Sequence, residues 1–271
     1  VLVFSGPTQA RPVRVEQGHP AWWLEITRAW DRFYGLRSYR ARADGPRGDT
    51  MMWEVVRRGP SADADDLRMV WSSRDGKYRQ ETVQKAYEVW QASWRPRIRN
   101  PEQARREERA MRDLAYRMGA TGVSARTTAS HHIWCYRMPR PVLIMAPDPE
   151  IRRLESLRGG LDAVRITLRR QGTHVGPDRV MRSVTVYEYQ LKDPREGRWT
   201  LPQTLAVDNR TGLPVQASLW VARGSPGPGG FAGSSLLVPP AGRDWRPGLG
   251  VFEYYDHNAP FTITVPPAGC R

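Results

Sequence analysis

The chain has 271 residues, 39% of them hydrophobic and 26% charged, with eleven tryptophans and a formal net charge of +14. That aromatic content excludes global disorder, and the length suits one large all-β or α+β domain, or two small ones. The 42 basic residues outnumber 28 acidic ones, and only Lys77, Lys85 and Lys192 are lysines; this is either the codon bias of a GC-rich genome or an affinity for anionic surfaces.

Val1–Phe4 is apolar and is followed by small and polar residues. This reads as the tail of a signal-peptide core, with Thr8 and Ala10 at the −3 and −1 places of a cleavage point. The alternative is a short first strand. On the first reading residues 1–19 are a remnant and lead, and residues 20–271 form a single domain. No later stretch is long and apolar enough to span a bilayer as a helix.

Pro20 suits the first turn of a helix and Gly35 its end, with Trp23, Ile26, Trp30 and Phe33 recurring at three- and four-residue steps. Strand-like alternation follows over Leu36–Ala43, Thr50–Arg57, Leu67–Ser72, Lys77–Val83 and Tyr87–Trp94. Turn residues at Asp44–Pro46 and Arg74–Gly76 separate some of these runs, and the spacing predicts an antiparallel meander. Asp63, Asp65 and Asp66 read as a solvated loop, since the Gly and distal Glu of a calcium loop are missing.

Asn100 can cap a second helix that Pro101 starts and Gly119 ends, with Met111, Leu114, Ala115 and Met118 as its stripe. Thr127–Met138 reads as one strand, His132, Trp134 and Tyr136 facing one side and Ile133 and Cys135 the other. A third helix is expected from Asp148 to Gly160. Strands are expected at Leu161–Leu168, Val184–Leu191, Gly250–Tyr255 and Phe261–Val265, and Thr200–Val207 pairs with Leu213–Val221 through a turn at Asp208–Gly212. The Gly- and Pro-rich segment 223–246 reads as a long loop, either disordered or a lid over a pocket.

No GxSxG elbow, HExxH helix, phosphate-binding loop or GxGxxG turn is present, so no catalytic residue is assigned. His131 and His132 are adjacent and, in a strand, point to opposite faces, which is poor for a metal. Neither metal nor cofactor is expected. Cys135 and Cys270 either pair as one disulfide or stay as two thiols. The strand aromatics remain. Trp53, Met69, Trp71, Trp134, Tyr136, Tyr187, Tyr189 and Trp220 are the candidate wall of an apolar cavity; the plainer reading packs them into an ordinary core.

Four segments carry a resemblance. The first helix runs into Gly35-Leu-Arg-Ser-Tyr-Arg-Ala-Arg42, and His132-Ile-Trp-Cys-Tyr136 follows in mid-chain. Leu205-Ala-Val-Asp-Asn-Arg-Thr-Gly-Leu-Pro-Val215 forms a hairpin, and Phe252–Pro266 closes the chain. In this order, over residues 20–267, they resemble the LolA/LppX-type superfamily of lipoprotein and lipid carriers, a fold group that also contains RseB-like envelope sensors. The arginine-rich helix between Arg95 and Met118 and the long 223–246 segment depart from that pattern.

The resemblance implies an α+β fold: a curved antiparallel sheet forming an unclosed half-barrel, with helices packed on the concave face. It implies an exported, non-enzymatic carrier or sensor, periplasmic or membrane-associated, that holds acyl chains of a lipid or acylated protein between sheet and helices. The rival expectation is a basic protein docking on anionic membrane or polymer surfaces with no internal ligand; specific nucleic-acid binding is not expected.

Overall fold

The computed structural model describes residues 2–3, 20–44, 48–59, 65–85, 88–117, 119–138, 164–191, 203–222, 245–267 and 270. The strands are β1 (Leu2–Val3), β2 (Ser38–Asp44), β3 (Thr50–Val56), β4 (Asp66–Ser72), β5 (Arg79–Lys85), β6 (Glu88–Pro96), β7 (Gly122–Thr127), β8 (His131–Met138), β9 (Val164–Val175), β10 (Met181–Leu191), β11 (Gln203–Asp208), β12 (Pro214–Ala222) and β13 (Trp245–Tyr255). The helices are α1 (Pro20–Tyr34) and α2 (Pro101–Arg117). The protein is α+β, and its strands make an antiparallel sheet that is not closed, in the order β1-β9-β10-β11-β12-β13-β2-β3-β4-β5-β6-β8-β7.

The chain forms two compact units. One comprises residues 1–36, 42–46 and 148–255; the other comprises residues 37–41, 47–147 and 256–271.

In the first unit α1 buries Ile26, Trp30 and Phe33 of the stripe its sequence period predicts, together with Ala29, while Trp23 is only partly buried. Trp30 and Phe33 meet Tyr254 of β13 edge-on, with ring centroids 6.4 and 5.0 Å apart. The Tyr187 hydroxyl of β10 donates to the Glu25 carboxylate of α1. The same sheet face continues from Tyr187 through Leu205 and Ala217 to Phe252 across β10 to β13. The opposite face buries Val184, Val186, Ala206 and Val215 as a separate cluster. The β11–β12 turn is built by Asp208: its carboxylate accepts from the Arg210 amide, and its carbonyl accepts from the Gly212 amide. Gly212 has φ +67°, which favours glycine, and a Cβ there would lie 1.7 Å from Arg32 Nη1, so a side chain would also have to displace the end of Arg32.

In the second unit β3 to β6 and β8 pair in regular register. Helix α2 begins where Asn100 Oδ1 accepts from the Glu102 and Gln103 amides. It ends in a Schellman turn: the Gly119 amide donates to Tyr116 O and the Ala120 amide to Ala115 O, with Gly119 at φ +82°. Ala115 and Ala120 bury themselves in one cluster with Met111, Val89, Trp134, Tyr136 and Met138. Cys135 and Cys270 form a disulfide on the other face of β8, beside Ile133 and Ala92.

Several expectations need correction. Thr127–Met138 is not one strand: β7 and β8 form a hairpin, and Thr128 Oγ1 accepts from the His131 amide to turn the chain. Polar β7 lacks the alternation that would reveal it, because it is an exposed outer strand. Leu114 leaves the α2 stripe and is 48% exposed, since Met111 and Ala115 suffice to meet the sheet. Phe261–Val265 is not a strand; the chain there is held by Lys85 Nζ donating to Ile263 O. Asp65 and Asp66 are buried rather than solvated: Asp65 Oδ1 accepts from the Arg58 amide, and Asp66 accepts from the Arg58 guanidinium at 2.7 and 3.0 Å. The third helix at 148–160, Met118, Asp63 and residues 223–244 of the long loop lie outside the described residues. Of residues 1–19 only Leu2 and Val3 are described, as β1 on β9.

Candidate functional site

Side chains directly opposite one another in an antiparallel pair share a face. Two rows therefore run across the second unit's sheet. One is Trp53, Met69, Thr82, Gln91 and Tyr136; the next is Met51, Trp71, Gln80, Ser93 and Trp134. Five of the eight predicted wall residues thus stand on one face. Their surroundings differ. Trp134 and Tyr136 lie under α2, and the Tyr136 hydroxyl is 3.1 Å from Ser93 Oγ. Trp53 is buried, whereas Met69 and Trp71 are only partly covered.

Sequence reasoning missed the polar middle of these rows, Gln80, Thr82, Gln91 and Ser93. Those residues interrupt the aromatic wall, and their signal was the weak apolar content of β5 and β6 on this side.

The reverse face is a charge ladder. Arg40 donates to Glu54 and, at 2.8 Å, to Asp256. Arg68 joins Glu54 to Glu81 at 3.1 and 2.8 Å, and Arg79 completes the chain at 3.1 Å from Glu81. Arg79 also lies over the Trp94 ring and Arg40 over Phe261. These arginines are neutralised by acids on neighbouring strands and by Asp256 just after β13, so they are not a reserve of positive charge for an anionic partner.

Tyr187 and Tyr189 belong to the first unit and are buried. Burial and the Glu25 carboxylate push the Tyr187 phenol well above its usual value. Arg169 donates to Glu25 at 3.1 Å and lies over both Trp22 and Tyr187. Trp220 falls on β12 opposite Pro247, and its side chain lies outside the described residues.

His131 and His132 are tied to local hydroxyls, Ser130 Oγ and Thr127 Oγ1. Among the described residues no group of three or more His, Cys, Asp or Glu side chains gathers as a metal site.

A cavity of about 590 Å³ opens beside Trp71, lined by Asp49, Trp71, Ser73, Arg74, Asp75 and Tyr78. The β4–β5 hairpin makes most of it. Ser73 Oγ and the Lys77 amide both donate to Asp75 Oδ1, and Gly76 takes φ +69°. Asp49 enters from the segment before β3 and accepts from Trp71 Nε1 at 2.9 Å.

Comparisons of the chain with protein-family models, curated proteins and solved structures find no match.

Proposed function

We propose that this protein is an exported, non-enzymatic carrier or sensor that holds acyl chains of a lipid or lipoprotein against the apolar face of its sheet. The observation that carries the reading is the two-sidedness of β3 and β4: Met51, Trp53, Val55, Leu67, Met69 and Trp71 on one face, a paired charge ladder on the other. An ordinary core would bury all six, yet Met69 and Trp71 keep accessible surface. The disulfide supports an oxidising compartment. In this reading the helices lie on the hollow side of a half-barrel and act as gates.

Native mass spectrometry of protein purified without detergent, followed by organic extraction, tests it. A bound mass that extracts as lipid, reduced in Met69→Arg, is expected. A bare mass with no uptake of a fluorescent fatty acid refutes the reading.

A second reading, docking on an anionic surface, has its own support in α2, where Arg105, Arg106, Arg109 and Arg117 are exposed. It requires binding to anionic vesicles that falls steeply with added salt.

A further inference from the structure

The cavity beside Trp71 differs in chemistry from the rest of this basic chain. Two of its six lining residues are carboxylates and two are large rings, with one arginine among them. Asp49 Oδ2 is held by the Trp71 indole N–H, while Asp49 Oδ1 is shielded from solvent and has no hydrogen-bond donor among the described residues. A carboxylate so placed favours a nearby positive charge, because little water screens it. Its bond to Nε1–H also pushes electron density into the indole, which strengthens attraction of a cation to the ring face. Tyr78 lines the same cavity and is 46% exposed, so a second aromatic side chain is accessible to a ligand.

Arg74 decides what accompanies the cation. Its stem lies against Gly48, where an added Cβ would come within 2.9 Å of Arg74 Cδ, and its side chain is exposed at the cavity. Gly48 itself takes φ +79°, so the close approach is built into the turn. A guanidinium beside a cation subsite repels a simple amine but suits a ligand that brings its own anion, which it can hold with two hydrogen bonds. Asp75 is already engaged by Ser73 and Lys77 and does not compete strongly for Arg74. The volume is within the range of small-molecule sites.

We propose that this cavity binds a zwitterionic phosphoester of the phosphocholine class, with the ammonium between Trp71 and Tyr78 next to Asp49 and the phosphate on Arg74. The site shares Trp71 with the proposed acyl-binding face, but a soluble head group suffices to fill it, so either can fail without the other.

Isothermal titration calorimetry of the full chain with phosphocholine, choline and inorganic phosphate tests it. Saturable phosphocholine binding is expected, at least tenfold weaker for choline, and absent for phosphate at the same concentrations. Asp49→Asn and Tyr78→Ala are each expected to weaken phosphocholine binding at least tenfold. Tyr78 is exposed, so its variant keeps the fold and serves if Asp49→Asn does not. Lack of phosphocholine binding, equal binding of phosphate alone, or unchanged affinity in a folded Tyr78→Ala overturns the proposal. Once saturable binding is seen, sedimentation with phosphatidylcholine vesicles names the source. Capture lost in Tyr78→Ala supports a lipid head group; free phosphocholine without vesicle capture supports a soluble ester.

Discussion

The Tyr187 hydroxyl donates to the Glu25 carboxylate, joining β10 to α1 across 162 residues of chain. Arg169 closes the triad by pairing with the same carboxylate. The phenol is the buried member, whereas the Glu25 carboxylate is 40% exposed and open to water, so the loss is that of the bond itself rather than of a stranded acceptor. Tyr187→Phe is expected to cost about 0.5–1.5 kcal/mol in urea unfolding, with the slope unchanged. A variant as stable as the parent would show the bond to be idle.

His174 gives the protein an acid-sensitive stability. It is fully buried in β9, and burial, reinforced by the positive charge of Arg182 and opposed by Asp178, lowers its pKa to about 4. Because the folded value lies below the unfolded value of about 6.5, the unfolded chain binds the extra proton first. Stability is therefore complete above pH 6.5 and is lost as pH falls towards 4, by on the order of 3 kcal/mol. His174→Leu should flatten that window of a stability-versus-pH curve. A variant that retains the parent slope between pH 6.5 and 4 assigns it to other groups.

The Cys135–Cys270 disulfide closes a loop with a sequence separation of 135. Replacing both cysteines with alanine is expected to cost about 2–5 kcal/mol, read as a lower midpoint in denaturant. Adding reductant to the parent should have the same effect, and insensitivity to reductant would contradict it.

Glu81 is the buried junction of the charge ladder, its side chain 4% exposed and shared by Arg68 and Arg79. Glu81→Gln is expected to cost about 1–3 kcal/mol, discounted because both arginines are partly in water. Asp44→Asn, in the exposed pair with Arg42, should change stability by less than about 0.5 kcal/mol. Equal effects for the two would mean that burial of Glu81 contributes nothing.

Gly212 tests a turn inside the segment that carries part of the family resemblance. Gly212→Ala must adopt positive φ and displace Arg32, so a loss of about 1–2 kcal/mol is expected in thermal unfolding. An unchanged midpoint would show that the turn relaxes without strain.

Much of this fold was legible because its signals are local. Pro20 and Gly35 bound α1, Asn100 and Gly119 bound α2, and alternation located β3 and β4 because one side of each strand is apolar. Where a strand is polar on both sides the signal fails, which is why β7 was absorbed into β8. Where an acid finds its partner by folding, composition misleads: Asp66 is buried because Arg58 reaches it, not because the segment is apolar.

The sequence by itself determined the turns at Arg74–Gly76 and Asp208–Gly212, the helix ends and which residues of a strand travel together, since each depends on neighbours a few positions away. Only the tertiary structure decided that α2 covers Trp134 and Tyr136 while Trp71 opens on a cavity, and that Arg40 spends its charge on Glu54 and Asp256. Those outcomes follow from strand register and chain return over tens to hundreds of residues. Period-two alternation puts the same residues on one face whether that face is then filled by a helix or left partly open.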